Sequence, residues 1–212
     1  VQTCALPILP NELNSTALAE LICTRLSHDI IGNIGAVSNA VELLEEGDMD
    51  FIDDIKSILK TSSSVLAARM KFFRMAFGLD NANLEQHNLV AETIKNYLAT
   101  IGNRNYPIEL SYRLDNAAFV KPVMLAVMII ADTLIRGGKI EISADDKKIM
   151  VVSSAEVPPS ADKINHIKEI LSGNVAEPAA QYAPIFYLVS LLKQLKINLY
   201  ILNSGSLGFV FA

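Results

Sequence analysis

The chain has 212 residues, enough for one large domain or two small ones and for burying roughly 70% of the surface its unfolded form exposes. Hydrophobic residues make up 51%, charged residues 19%, and tryptophan is absent, a balance that leaves apolar surface to hide; a second copy of the chain is one way to hide it. Acidic residues outnumber basic ones 23 to 18 for a formal charge of -5, so no broad positive field attracts a phosphate backbone and nucleic acid is not an expected partner.

In chain order, residues 1–16 carry neither a basic leader nor a cleavage pattern and are expected to be a disordered or truncated start. Residues 17–46 read as the first helix, because Ala19, Ile22, Cys23, Leu26, Ile30, Val37, Val41 and Leu44 recur at helical spacing. An acidic turn holding Glu45, Glu46, Asp48 and Asp50 breaks it, with Gly47 as the stop. The spacing then predicts a second helix over residues 51–77, in which Ile52, Leu59, Leu66 and Phe73 form one heptad row and Phe51, Ile58, Val65 and Phe72 a second beside it. Two adjacent rows bury two flanks, as in a four-helix bundle. One hairpin supplies only two helices, so a homodimer is expected to complete the bundle.

The character changes across residues 78–88. Beyond them the pattern gives a helix over 89–101, a strand over 108–114, a very apolar helix over 122–136 and a hairpin turning at Asp145 and Asp146. Helices over 161–172 and 184–196 and closing strands over 197–202 and 207–212 follow. The fold class is therefore α+β: a helical hairpin over residues 17–80, then an α/β domain over 88–212. The longest apolar run, residues 123–131, falls short of the ~20 a membrane span needs, so no membrane is expected. Cys4 and Cys23 are too few for a disulfide framework or a zinc site, which leaves the cytoplasm as the default compartment.

His28 stands out within the first helix. On a wheel of 100° per residue, Ala19, Leu26, Ile30, Val37 and Leu44 share a narrow arc and His28 lies almost opposite it, facing solvent. Around it on that outer face are Thr24, Gly32 and Gly35, all small, with Arg25 one turn before and Asp29 adjacent. An exposed helical histidine is ordinarily a polar surface residue, and glycines also serve close helix packing. Two glycines nevertheless cost about 1 kcal/mol each in a helix interior. The conjunction with an adjacent carboxylate points to an imidazole nucleophile with a cleared approach path for something large. His87, in the stretch between the two halves, and His166, on an amphipathic helix, have no partner at metal-ligand spacing and read as solvated surface.

The run "LAELICTRLSHDIIGNIGAVSNAVELLEEG" resembles the phosphoacceptor helix of the ChpT-type histidine phosphotransferases of alphaproteobacteria. Arg25, His28, Asp29, Gly35, Ala36, Asn39, Glu42 and Leu44 carry the likeness, and the order of elements extends it over nearly the whole chain. Gly32-Asn33 departs from the Ser-Pro or Gly-Pro expected there. The resemblance implies a hairpin that dimerises into a four-helix bundle and an α/β domain like a degenerate histidine-kinase ATP-binding domain. It implies a phosphoryl carrier that relays from the receiver aspartate of a hybrid sensor kinase, through His28, to response-regulator receivers. In that scheme Asp29 orients the ring, Arg25 offsets phosphoryl charge, and Thr24, Gly32, Asn33 and Gly35 form the docking surface. Magnesium is expected from the receiver partner, with no cofactor intrinsic to the chain.

A working kinase would need an asparagine on its magnesium-binding helix and an Asp-x-Gly-x-Gly turn after the following strand. By register from "RGGKIEIS", the asparagine position is Ile129, with Asp132 three residues on, and the strand runs into Ser153, Ser154, Ala155, Glu156 and Val157 without a glycine. Isoleucine cannot ligate magnesium, so ATP-dependent kinase activity is not expected. The alternative is a dimeric kinase-like scaffold that binds a signalling partner without carrying phosphate.

Overall fold

Helix α1 (Ser15–Glu45) starts where Asn14 caps it, its side-chain oxygen accepting from the Ala17 amide at 2.8 Å. It ends where Gly47 takes φ 75°, a conformation glycine adopts at little cost. Helix α2 (Ile52–Phe77) opens with Asp53 and Asp54 and closes with Arg74, charges that suit its dipole, and it folds back along α1. The computed structural model describes residues 3–5, 13–47, 51–79, 82–145, 148–174, 178–203 and 207–212. The expectations for residues 1–2 and 6–12, for Asp48 and Asp50, and for the turn at Asp146 lie outside the described residues.

The α/β half follows the expected order. It comprises α3 (His87–Ile101), β2 (Ile108–Tyr112), α4 (Val120–Ala131), β3 (Gly138–Ala144), β4 (Ile149–Ser154), α5 (Ala161–Leu171), α6 (Ala183–Leu195), β5 (Leu199–Asn203) and β6 (Leu207–Phe211). Residues Thr3–Ala5, within the segment expected to be disordered, form a short strand β1 that pairs antiparallel with β5. Among the described residues the sheet order is β1-β5-β6-β4-β3-β2, parallel between β2 and β3 and antiparallel at the other pairs. Gly137 and Gly138 have φ 71° and 145°, and a Cβ on Gly138 would lie 2.6 Å from the Ser154 carbonyl, so this turn into β3 requires glycine.

One hydrophobic core joins the sheet to α4 and to the last turns of α2. Every residue of α4 except Lys121 is buried, which its unbroken apolar run demands, and each large side chain so buried contributes roughly 1.5–3 kcal/mol. Phe72, Phe73, Met75 and Ala76 of α2 belong to the same core, with Phe72 stacked on Tyr97 of α3 at 3.8 Å. Leu84, in the stretch expected to separate two domains, is buried there as well. The hairpin is thus rooted in the α/β half. Its far part is different: α1 buries Ala40 alone, while Ile31, Val41 and Leu44, Phe51 just before α2, and Ile58 of α2 stay exposed.

Helix α4 stops at Ala131 although its pattern runs on to residue 136. After Asp132, whose amide still bonds the Met128 carbonyl, the amides bond three residues back, Thr133 to Ile130 and Leu134 to Ala131, and the Thr133 hydroxyl caps the Ile130 carbonyl at 2.7 Å. This tightened turn holds Asp132 where the hairpin meets the α/β half.

Candidate functional site

His28 sits near the middle of α1 with its side chain 87% exposed, as the helical wheel requires. Its Nδ1 lies 3.7 Å from Asp29 Oδ1, beyond a normal hydrogen bond, with the carboxylate on the Nδ1 side of the ring. A Cβ built on Gly32 or Gly35 would meet nothing within 4 Å. These glycines therefore serve no tight helix contact among the described residues. They leave one side of the imidazole bare. Thr24 is also on this face, its hydroxyl bonded back to the Glu20 carbonyl at 2.8 Å, and Asn33 is half-buried at its edge.

Arg25 and Asp29 occupy a different place from the outer face expected of them. Their side chains are only 12% and 15% exposed. Arg25 donates from Nε to Asp29 Oδ2 at 2.8 Å, from Nη1 to the Gln181 carbonyl at 2.9 Å and from Nη2 to Asp132 Oδ1 at 3.1 Å, with Asp132 Oδ2 at 2.9 Å. All three guanidinium nitrogens are engaged. The physical reason is that α4 and the segment before α6 present acceptors to this side of α1, and a planar fork pairs with them more strongly than with water. Burial works against the Arg25 charge, but Asp132 and Asp29 outweigh it and hold the guanidinium above its ordinary value. Burial raises the Asp132 carboxyl, and Arg25 draws it only part of the way back.

Two further residues of this network carry no motif in the sequence. Arg69 of α2 donates from Nη1 to the Asp29 carbonyl and from Nε to the Thr100 hydroxyl at 3.2 Å, joining α1, α2 and α3. A cation lying among the apolar rows of α2 is the signal that a buried acceptor awaits it. Tyr97 is fully buried and its hydroxyl has no hydrogen-bond partner among the described residues; burial, reinforced by Asp132, keeps it protonated.

Beside His28 a cavity of about 400 Å³ opens between α1, α4, α5 and α6. Thr24 and His28 form its hairpin side, Asp132 and Thr133 its far side, and Lys163 donates to the Asp132 carbonyl at 3.2 Å at its margin. Ile129, at the position where a kinase asparagine would stand, is a buried apolar wall of this cavity. His166 is not simply solvated: its Nδ1 is 3.3 Å from Glu169 Oε2 and its ring lies 4.6 Å from that of Tyr182. His87 is the first residue of α3 rather than part of a linker, half-buried, with Nδ1 unpartnered among the described residues. Neither comes together with His28.

A helical hairpin presenting an exposed histidine over an α/β domain defines the class of protein, and comparison with known families agrees. The chain belongs to the histidine phosphotransferase family: the model of the histidine phosphotransferase C-terminal domain matches residues 90–206. Among curated proteins it is similar to the protein phosphotransferase ChpT of Brucella abortus (strain 2308), 44% identical over 70 residues, which are 33% of this chain and 32% of that protein. The match thus spans about a third of the relative's length. A solved bacterial phosphotransferase has the same fold, with a TM-score of 0.73 and 24% identity over 98% of this chain and 100% of that one.

Proposed function

We propose that the chain is a phosphoryl carrier in a phosphorelay, taking the group from the receiver aspartate of a hybrid sensor kinase onto His28 and passing it to response-regulator receivers. The observation that carries this reading is the 87%-exposed His28 ring next to Asp29 on a face cleared by Gly32 and Gly35. In the first step Nε2 of neutral His28 attacks the phosphorus in line. The N–P bond forms as the bond from phosphorus to the aspartyl oxygen breaks, and the electron pair leaves with the receiver carboxylate. The remaining ring proton sits on Nδ1, facing Asp29. The second step reverses the first on another receiver.

Arg25, with every guanidinium nitrogen already engaged, positions Asp29 rather than meeting the phosphoryl group. The receiver brings the magnesium ion that such a transfer uses, and catalysis by this chain is mostly placement. The apolar residues left exposed along α1 and α2 support a homodimer in which two hairpins form a four-helix bundle. Among the described residues no helix is long and apolar enough to cross a membrane. We place the carrier in the cytoplasm, beside the receivers it serves.

The test uses a receiver phosphorylated with labelled phosphate, and separately labelled ATP alone. Transfer from the receiver as acid-labile, base-stable label, lost in His28→Ala, is the expected result. Label from ATP alone would make the chain a kinase. Absence of label from every receiver of the source organism would favour the non-catalytic scaffold.

A further inference from the structure

We propose that Asp132, from the α/β half, is a positioning residue that fixes the tautomer and orientation of the His28 ring through Arg25 and Asp29. The inference rests on the carrier reading above and adds to it a reason for the α/β half to be joined to the hairpin at this point.

Asp29 has two carboxylate oxygens with different partners. Oδ2 accepts from Arg25 Nε at 2.8 Å, which leaves Oδ1 as the atom that faces His28 Nδ1 at 3.7 Å. Which oxygen faces the ring depends on the plane of the Arg25 fork. That plane is set from outside α1: Nη2 is held by Asp132 and Nη1 by the Gln181 carbonyl. A guanidinium fixed at two nitrogens cannot turn to offer both edges to a third partner.

Without the Asp132 charge, the strongest remaining acceptor for Arg25 is Asp29 itself, one helical turn away, and a two-oxygen grip withdraws Oδ1 from the ring. The imidazole then loses the carboxylate that favours a proton on Nδ1. A lone pair on Nε2 is what the attack on phosphorus requires, so loss of the Nδ1–H tautomer slows transfer even though Asp132 never touches the ring or the phosphoryl group. Asp132 is itself tethered, because Lys163 donates to its carbonyl at 3.2 Å and the tight turn after α4 fixes its backbone.

A purely mechanical tie between the two halves would make a different prediction. Asn at position 132 keeps the shape and one accepting oxygen, so the contact between the turn after α4 and Arg25 of α1 persists while the charge is gone. The experiment is NMR of the full chain with ¹⁵N-labelled histidine rings. The chain has three histidines, so His28→Ala assigns the signal. Wild type is expected to show His28 with Nε2 unprotonated. In Asp132→Asn the signal moves toward the tautomer mixture of free imidazole, in the same direction as in Asp29→Asn, and single-turnover transfer falls about 10- to 100-fold. Asp132→Glu restores both.

An unchanged tautomer in a folded Asp132→Asn, or no recovery in Asp132→Glu, overturns the inference. Should Asp132→Asn fail to fold, Asp132→Ser decides, since a hydroxyl accepts without charge and frees the Arg25 fork for Asp29 in the same way, and the same tautomer shift is required. A wild-type ring that responds to Asp132 but accepts no phosphoryl group would remove the carrier reading and leave the coupling standing. Transfer that persists with an unmoved tautomer would do the reverse.

Discussion

The two ends of the hydrophobic core obey different rules. Helix α4 buries everything but Lys121, whereas α1, with more than twice as many residues, buries Ala40 alone. Both are rich in apolar side chains. The difference lies in what surrounds them: α4 is enclosed by the sheet, α2, α3 and α6, while the outer reach of α1 has only α2 beside it. An apolar pattern that its own chain satisfies is a fold signal. One that its own chain leaves open is, in the proposed dimer, where a second copy packs, and here the open one lies on the helix that carries the exposed histidine.

This contrast can be broken most forcefully from the closed side. Met128→Ala, in the fully buried α4, is expected to cost about 2–5 kcal/mol, read by urea unfolding, because the site cannot collapse around the loss. On the open side, Ile58→Glu places a charge on a residue exposed in the single chain, so unfolding of the monomer shifts by no more than about 0.5 kcal/mol. Light scattering should nonetheless show a dimer becoming a monomer; a monomeric wild type at micromolar concentration would contradict the bundle.

Smaller in energy, the outer glycines sharpen the separation of stability from docking. Gly32→Ala and Gly35→Ala meet empty space and gain helix propensity, so each should stabilise the chain by up to about 1 kcal/mol. If the bare face receives a partner, the same substitutions slow transfer from a phosphorylated receiver. A stabilised chain with undiminished transfer would mean that the partner docks elsewhere.

The smallest effect concerns pH. Burial holds the Asp132 carboxyl above its ordinary value of 3.8, so in the window between that value and its raised one the folded state keeps a proton that the unfolded chain has lost. Its contribution to stability is therefore present in full below 3.8 and is lost as pH rises through the folded value. Urea titrations across that window should show wild type gaining on Asp132→Asn as pH falls.

How far the sequence discloses this molecule depends on the range of the forces involved. The helical spacing of α2 and the outward placement of His28 are set by neighbours within a few residues, and both are legible. The inward turn of Arg25 is not. On its own helix Arg25 belongs to the polar side, and acceptors 107 and 156 positions away, Asp132 and the Gln181 carbonyl, draw it in. The early end of α4, by contrast, coincides with the end of the apolar run at residue 131, and the tightened turn that delivers Asp132 follows it. Among the candidate residues, His28, Gly32, Gly35 and Thr24 stand where the wheel puts them, and Arg25 and Asp29 stand where tertiary electrostatics puts them.

The bond from Arg69 to the Asp29 carbonyl grips α1 from behind, at the very residue whose side chain faces the imidazole. A rod clamped at that height has little freedom to bend or rotate when another protein presses on it. On the proposed relay, adjustment on encounter falls to the visiting receiver, whose loops then bear the entropy of the fit.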